Sequence, residues 1–171
     1  MIRTSLFALT LAVGLSACGF HLRDALVLPD DMGQVRITAR DPYSPLAQSL
    51  ERALERAGAR VADAGTEGRL ATLAIRSERW ASTPLSIDQF GRAQEYTLRY
   101  AVVFALIDAN GDEIVPQQAV ELSRDYISVP TDSTGTDTER ELLGRELERE
   151  MSASILRRID AATRELREAA Q

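Results

Sequence analysis

Along the chain, apolar positions recur every second residue in some stretches and every third or fourth in others, and each change of spacing marks an element. In QVRITA, residues 34–39, Val35, Ile37 and Ala39 fall on one face, which predicts a short strand. DPYSP follows, with Ser44 placed to cap a helix and Pro45 at its first position, where a missing N–H costs nothing. Leu46, Leu50, Ala53, Leu54 and Ala57 then make one stripe, and Gly58 ends a helix of about three to four turns. ARVADAGTEGR predicts a short strand and a glycine-punctuated loop. Leu73 and Ile75 alternate with Ala74 and Arg76, so residues 70–79 are expected to be extended. From Ser82 to Gly91 a proline and a glycine break the pattern. The strongest alternation is in AQEYTLRYAVVFALID, with Tyr96, Leu98, Tyr100, Val102, Phe104 and Leu106 on one face. Its other face, from Thr97 to Ile107, starts polar and ends apolar.

Asn110-Gly111 is a hairpin signal, and AVELSRDYISV supplies the returning strand, with Val120, Leu122 and Tyr126 on one side and Arg124 interrupting them. PTDSTGTDT reads as a polar loop, after which Asp137 or Thr138 is expected to cap a long helix. On that helix Leu143, Leu147, Met151, Ile155, Ile159, Ala162 and Leu166 form a continuous stripe. Glu141/Arg145 and Arg164/Glu168 are opposite charges four apart, Met151 belongs to the core, and the last turns are expected to fray, project or meet a partner. Trp80 is expected at the edge of the core. The order β-α-β-β-β-β-α gives an α+β two-layer sandwich: two helices on a sheet of about four strands. One layer of helices leaves one sheet face bare, the natural place for a partner.

The first 17 residues change the picture. Arg3, an apolar run from Leu6 to Leu15 and the small Ser16 and Ala17 make the three regions of a secretory signal, too short for a retained span. The run stops at LSAC, which resembles the lipobox of bacterial lipoproteins, where the thiol takes a diacylglyceryl group and cleavage leaves it at the new N-terminus. Cys18 is thus the candidate lipidation site. Two or more acyl chains, palmitate among them, hold a soluble domain firmly to a membrane surface, whereas one does not. Cys18 is also the only cysteine, so no disulfide forms within the chain. By analogy with lipoproteins in general, Gly19 in place of an Asp points to the outer membrane. The expected organisation is a cleaved signal over 1–17, a lipidated tether over 18–33 and a body over 34–168.

Charge and composition narrow the chemistry. The net charge of −6 becomes one more negative when Arg3 leaves with the signal, which argues against nucleic acid as a partner. Every basic residue is arginine. His21 is the only histidine and Cys18 the only thiol, so neither a metal set nor a histidine-based triad can be assembled. No metal, cofactor or catalytic residue is expected. An enzyme would have to work through carboxylates alone, such as Asp88, Glu95 and Asp125. With four Phe, four Tyr and one Trp, a lipid-sized closed cavity is hard to furnish.

Taken together, CGFHLRD at 18–24, the Pro-Leu-led first helix, the SI-x3-G-x3-EY approach to the central strand and the returning strand carry a resemblance. The chain resembles the LPS-assembly lipoprotein family, LptE or rare lipoprotein B, across essentially the whole segment after the signal. The resemblance implies two helices on a mixed sheet and no catalytic activity. It also implies an anchor in the outer membrane's periplasmic face and a place as a plug inside a large β-barrel translocon, assisting its assembly and the delivery of lipopolysaccharide to the cell surface. The alternative is a lipid-anchored periplasmic amphiphile-binding or structural module unconnected to a barrel. Family members use basic residues near the tip before the central strand and in the loop before the last helix. Here the tip position falls on Gln89, with Arg92 three residues on, and the late loop has no basic residue. Arg92, Arg99 and Arg124, with Gln89, are therefore the candidate lipopolysaccharide-binding residues, since a planar guanidinium can grip a phosphate through two bonds. Arg99 and Arg124 could equally pair with Glu121 or Asp125 across the hairpin, and Phe90 could touch acyl chains or a barrel wall.

Overall fold

The computed structural model describes residues 33–63, 65–128 and 133–169. The expected signal, Cys18, His21 and nearly all of the tether lie outside the described residues, as does the 129–132 part of the late loop.

The first strand, β1 (Gln34–Thr38), leads to helix α1 (Pro45–Arg56). Its start is the expected one: the Ser44 hydroxyl accepts from the Ala47 amide at 3.2 Å, satisfying a donor the helix leaves free. Its end is a Schellman turn. Gly58, at φ +85°, lets its own amide reach the Glu55 carbonyl at 2.9 Å and the Ala59 amide reach Leu54 at 3.0 Å. The chain returns through the two-residue β2 (Arg60–Val61), then runs through β3 (Ala71–Ile87), β4 (Ala93–Ile107) and β5 (Glu113–Ile127). The long helix α2 (Ser133–Ala169) closes the described chain.

The sheet has five strands in the order β2-β1-β3-β4-β5, as many as the predicted order of elements contains and one more than the four or so expected of the sheet. β1 is parallel to both β2 and β3, while β3–β4 and β4–β5 are antiparallel, so the sheet is mixed. Both helices pack on one face. The core there joins Leu46, Leu50 and Leu54 of α1 to Leu73, Tyr100, Val102, Phe104 and Leu106 of the sheet. Leu147, Met151, Ile155 and Ile159 of α2 complete it and are fully buried, as their stripe required, whereas Leu166 is exposed.

The fold departs from the sequence pattern at three further points. First, β3 does not stop near residue 79 but continues through Pro84 to Ile87. β1 pairs with it only as far as Ala74, so beyond that β3 is an edge strand, where a proline's missing donor is tolerated. Second, the register steps from Ile75 opposite Phe104 to Ser77 opposite Val103, leaving Arg76 as an extra residue. Strict alternation would turn Ser77 and Arg79 to the core; after the bulge Glu78, Trp80 and Ser82 face it, opposite Val102, Tyr100 and Leu98. Third, α2 begins at Ser133, ahead of the expected cap at Asp137 or Thr138.

At 15 to 17 residues the three long strands reach about 50 Å. The 37 residues of α2 match that length at about 55 Å, but the 12 of α1 cover only about 18 Å. One half of the sandwich is thus roofed by two helices and the other by one, which leaves the distal part of β3 without a roof.

Candidate functional site

The distal blade of β3, β4 and β5 carries two of the four candidate lipopolysaccharide-binding residues, Gln89 and Arg92, in its β3–β4 turn, and the other two, Arg99 and Arg124, back along its strands. At the tip itself Asp88 organises the β3–β4 turn. Its amide donates to the Arg92 carbonyl at 2.8 Å, and its carboxylate accepts the amides of Phe90 and Arg92 at 2.8 and 2.9 Å. Gly91 takes φ +77° to close the turn. The Asp108–Asp112 turn between β4 and β5 repeats this wiring, with Gly111 at φ +100° and no positive φ at Asn110, so the Asn-Gly hairpin forms without the paired left-handed residues of a two-residue turn. The bond from the Arg92 amide leads the causes that hold the Asp88 carboxyl below its usual range. Arg92 Nε also donates to Asp88 Oδ2 at 2.8 Å, and its guanidinium lies 5.3 Å from the centroid of the Phe90 ring. Gln89 sits in the same turn and is exposed. Around this turn Leu85, Ile87, Phe90 and Ile127 are all exposed, Phe90 at 73%.

Arg99 and Arg124 are not brought to that tip, nor to each other. Arg99 faces the bare side of the sheet and pairs with Glu121 at 3.2 Å, one of the two bland partners the sequence offered. Arg124 lies opposite Leu98 on the helix-covered side. Its guanidinium forks between Glu146 and Glu150 of α2 at 3.2 and 2.6 Å, fastening the helix to β5 in place of a contact with Glu121 or Asp125. Asp125 instead accepts the Thr97 hydroxyl at 2.7 Å. Asp88 and Asp125 thus each hold a local structural bond, and among the described residues no cluster of three metal-ligating side chains occurs.

The unroofed part of β3 forms a second feature, which the one-dimensional pattern did not disclose. The Trp80 ring stacks on Tyr100 at 3.9 Å between centroids, and the Tyr100 hydroxyl donates to Glu78 at 2.7 Å. Burial first, then that bond, drives the Tyr100 hydroxyl far above the ordinary tyrosine range. Beyond Trp80 runs a cleft of about 540 Å³, floored by Trp80 and Leu98, stopped by Pro45 of α1 and walled by α2 at Arg140, Gly144 and Glu148. Desolvation, then repulsion from Glu78, raises the Glu148 carboxyl above its usual pKa. The sequence held two hints: a tryptophan just where strict alternation pointed away from the core, and a glycine inside an otherwise regular helix.

Two helices on one face of a five-stranded mixed sheet define the class as the fold of the solved rare lipoprotein B domains. The crystal structure of rare lipoprotein B from Shewanella oneidensis superposes with a TM-score of 0.68 at 22% identity, covering 79% of this chain and 99% of that one, and so shares the fold. The solution structure of a lipoprotein B from Nitrosomonas europaea gives 0.69 at 28% identity, covering 85% and 92%. Residues 32–159 match the sequence profile of the family LptE, Lipopolysaccharide-assembly, and the chain belongs to that family. The LPS-assembly lipoprotein LptE of Photorhabdus laumondii is 28% identical over 156 residues, 88% of this chain and 84% of that protein; that of Yersinia pestis is also 28% identical, over 88% and 74%.

Proposed function

We propose that this chain is a non-enzymatic lipoprotein of the outer membrane that plugs a β-barrel lipopolysaccharide translocon, assists its assembly and helps deliver lipopolysaccharide to the cell surface. Cys18 carries the anchor after removal of residues 1–17, residues 18–33 form the tether, and the body spans 34–168. The observation that carries the reading is the blade. It presents a bare sheet face whose outer part carries paired charges such as Arg99–Glu121, and a projecting tip where exposed Leu85, Ile87, Phe90 and Ile127 surround Asp88 and Arg92. A barrel lumen is polar, and a plug that fills one needs hydrogen-bonding side chains rather than greasy patches. Gln89 and Arg92 at the tip are the proposed contacts to lipopolysaccharide phosphates, with Arg99 and Arg124 behind them. Arg92 would have to exchange Asp88 for phosphate, a swap its 59% exposed side chain can make.

Photo-crosslinkers at residues 89, 92 and 133, followed by purification from membranes, test the reading. A β-barrel adduct and a lipopolysaccharide adduct at residue 92 are expected. Depletion of the protein should lower both the folded barrel and surface lipopolysaccharide, and unchanged levels of both would overturn the proposal. Mass spectrometry should find Cys18 acylated at the mature N-terminus.

A further inference from the structure

Where β1 leaves the sheet, a slot opens beside β3. The β1–α1 connection turns away after Thr38 while β3 runs on past Ala74, and a cavity of about 720 Å³ lies between them. Arg40 and Asp41 of the connection line one side, and the six residues from Ile75 to Trp80 line the other. Successive residues of a strand alternate between its two faces, so a cavity bordered by six in a row runs along the strand's edge, for about 20 Å. That edge is open. From Ile75 to Ile87 the backbone of β3 pairs with β4 alone among the described residues, so alternate residues turn their N–H and C=O away from the sheet. The sheet's opposite edge strand, β5, differs: the Arg158 and Arg124 side chains donate to its Ala119 and Ser123 carbonyls at 3.4 and 2.9 Å.

Charge is the independent observation. Arg40, Arg76 and Arg79 are exposed and make no ion pair among the described residues. The two carboxylates in the slot are engaged already, Glu78 by the Tyr100 hydroxyl at 2.7 Å and Asp41 by the Tyr43 amide at 2.9 Å. Three guanidiniums against two carboxylates leave the slot positive, on a chain whose net charge is −6. This excess repels a second copy laid antiparallel along the same edge, which would bring Arg76 and Arg79 of both copies together, and it favours an acidic strand. An isolated anion would answer the guanidiniums but, being only an acceptor, would leave the outward carbonyls of β3 unmatched. A peptide backbone answers both rows.

We propose that the free edge of β3 between Ile75 and Pro84 takes up an extended acidic segment of a partner protein as an added strand, its backbone on the ladder and its carboxylates on Arg40, Arg76 and Arg79. Pro84, which has no N–H, ends the stretch that can pair. The site stands apart from the proposed function, since it requires a partner segment of this chemistry and not that the partner be a barrel.

The probe is a fluorescein-labelled, capped peptide about eight residues long, alternating glutamate and valine, titrated into the full mature chain. A saturable rise in anisotropy is expected, and hydrogen-exchange NMR should show the peptide slowing amides within residues 76–83 several-fold while those of β5 keep their rates. Arg76→Gln with Arg79→Gln should weaken the peptide about tenfold, with circular dichroism confirming the fold, and a lysine–valine peptide should not bind. N-methylation of the glutamates or of the valines should abolish binding in one peptide and spare it in the other, because only one set of amides faces β3. No saturation, equal binding of the lysine peptide, equal affinity of the two methylated peptides, or displacement by inorganic phosphate at the peptide's own concentration would each overturn the site. Protection of the same amides that grows with protein concentration alone would give the edge to a second copy and overturn it as well. A barrel adduct from residue 92 without peptide binding overturns the slot alone. Peptide binding without any barrel adduct upholds the slot and overturns the plug.

Discussion

Trp80 and Tyr100 stand opposite one another in the β3–β4 ladder, with their rings stacked at 10°. They meet because Arg76 bulges out of β3 a few residues earlier and exchanges the faces of everything beyond it. One inserted residue therefore decides that an indole, rather than the guanidinium of Arg79, lies on the helix side. The stack in turn places Tyr100 to reach Glu78, and it makes the cleft floor aromatic.

Tyr100→Phe removes the donor to Glu78 while keeping the ring stack. Because Tyr100 has no exposed surface and Glu78 then loses a bond in a half-desolvated place, a loss of about 1–2 kcal/mol is expected in urea unfolding. A variant as stable as the parent would mean that water replaces the phenol at no cost.

Glu148 has its carboxyl pKa raised in the fold, so the folded chain binds more protons than the unfolded one between the ordinary value and the raised one. Stability from this group is present at low pH and declines as pH rises through that window. Glu148→Gln should accordingly raise the melting temperature at neutral pH, and the gain should vanish below the ordinary carboxylate range. Melting curves at pH 4 and pH 7.5 compare the two.

Met151 and Leu142 lie on opposite sides of α2, the first with no exposed surface and the second 54% exposed. Met151→Ala should cost about 2–5 kcal/mol in chemical unfolding, and Leu142→Ala under about 0.5. Similar losses at both positions would mean that α2 is rotated relative to the sheet.

Asp88 holds the tip through two amides and the Arg92 guanidinium. In Asp88→Asn the amides of Phe90 and Arg92 should exchange with solvent several-fold faster, and those of Val102 and Phe104 at the parent rate, by hydrogen-exchange NMR. Because the Asp88 carboxyl is held below its usual range, the parent should lose the same protection only as pH falls through that lowered value.

Local chemistry is readable in the sequence and remote chemistry is not. The start of α1 is legible because Ser44 caps an amide three residues on, and its end because Gly58 needs only its own φ. The buried stripe of α2 is legible from its period, but its first turns are not, since a polar, glycine-containing stretch reads as a loop. Pro84 reads as a strand breaker because nothing in one dimension tells that β1 withdraws at Ala74 and leaves β3 an edge. Sequence proximity offers Arg124 the carboxylates of its own hairpin, whereas Glu146 and Glu150 come from a helix more than twenty residues away. For the same reason four candidate residues, plausible together, are spread over a tip and two sheet faces.

By itself the sequence determined the main elements, their order and the single helix layer, because periodicity and capping act over a few residues. Only the tertiary structure decided which face each residue beyond Arg76 occupies, which arginines are already paired and that a short α1 beside a long α2 leaves a trough over Trp80. Register, ion pairing and roof length depend on where distant segments meet. A bulge of one residue in β3 reverses a face without disturbing any pattern that neighbouring residues could reveal.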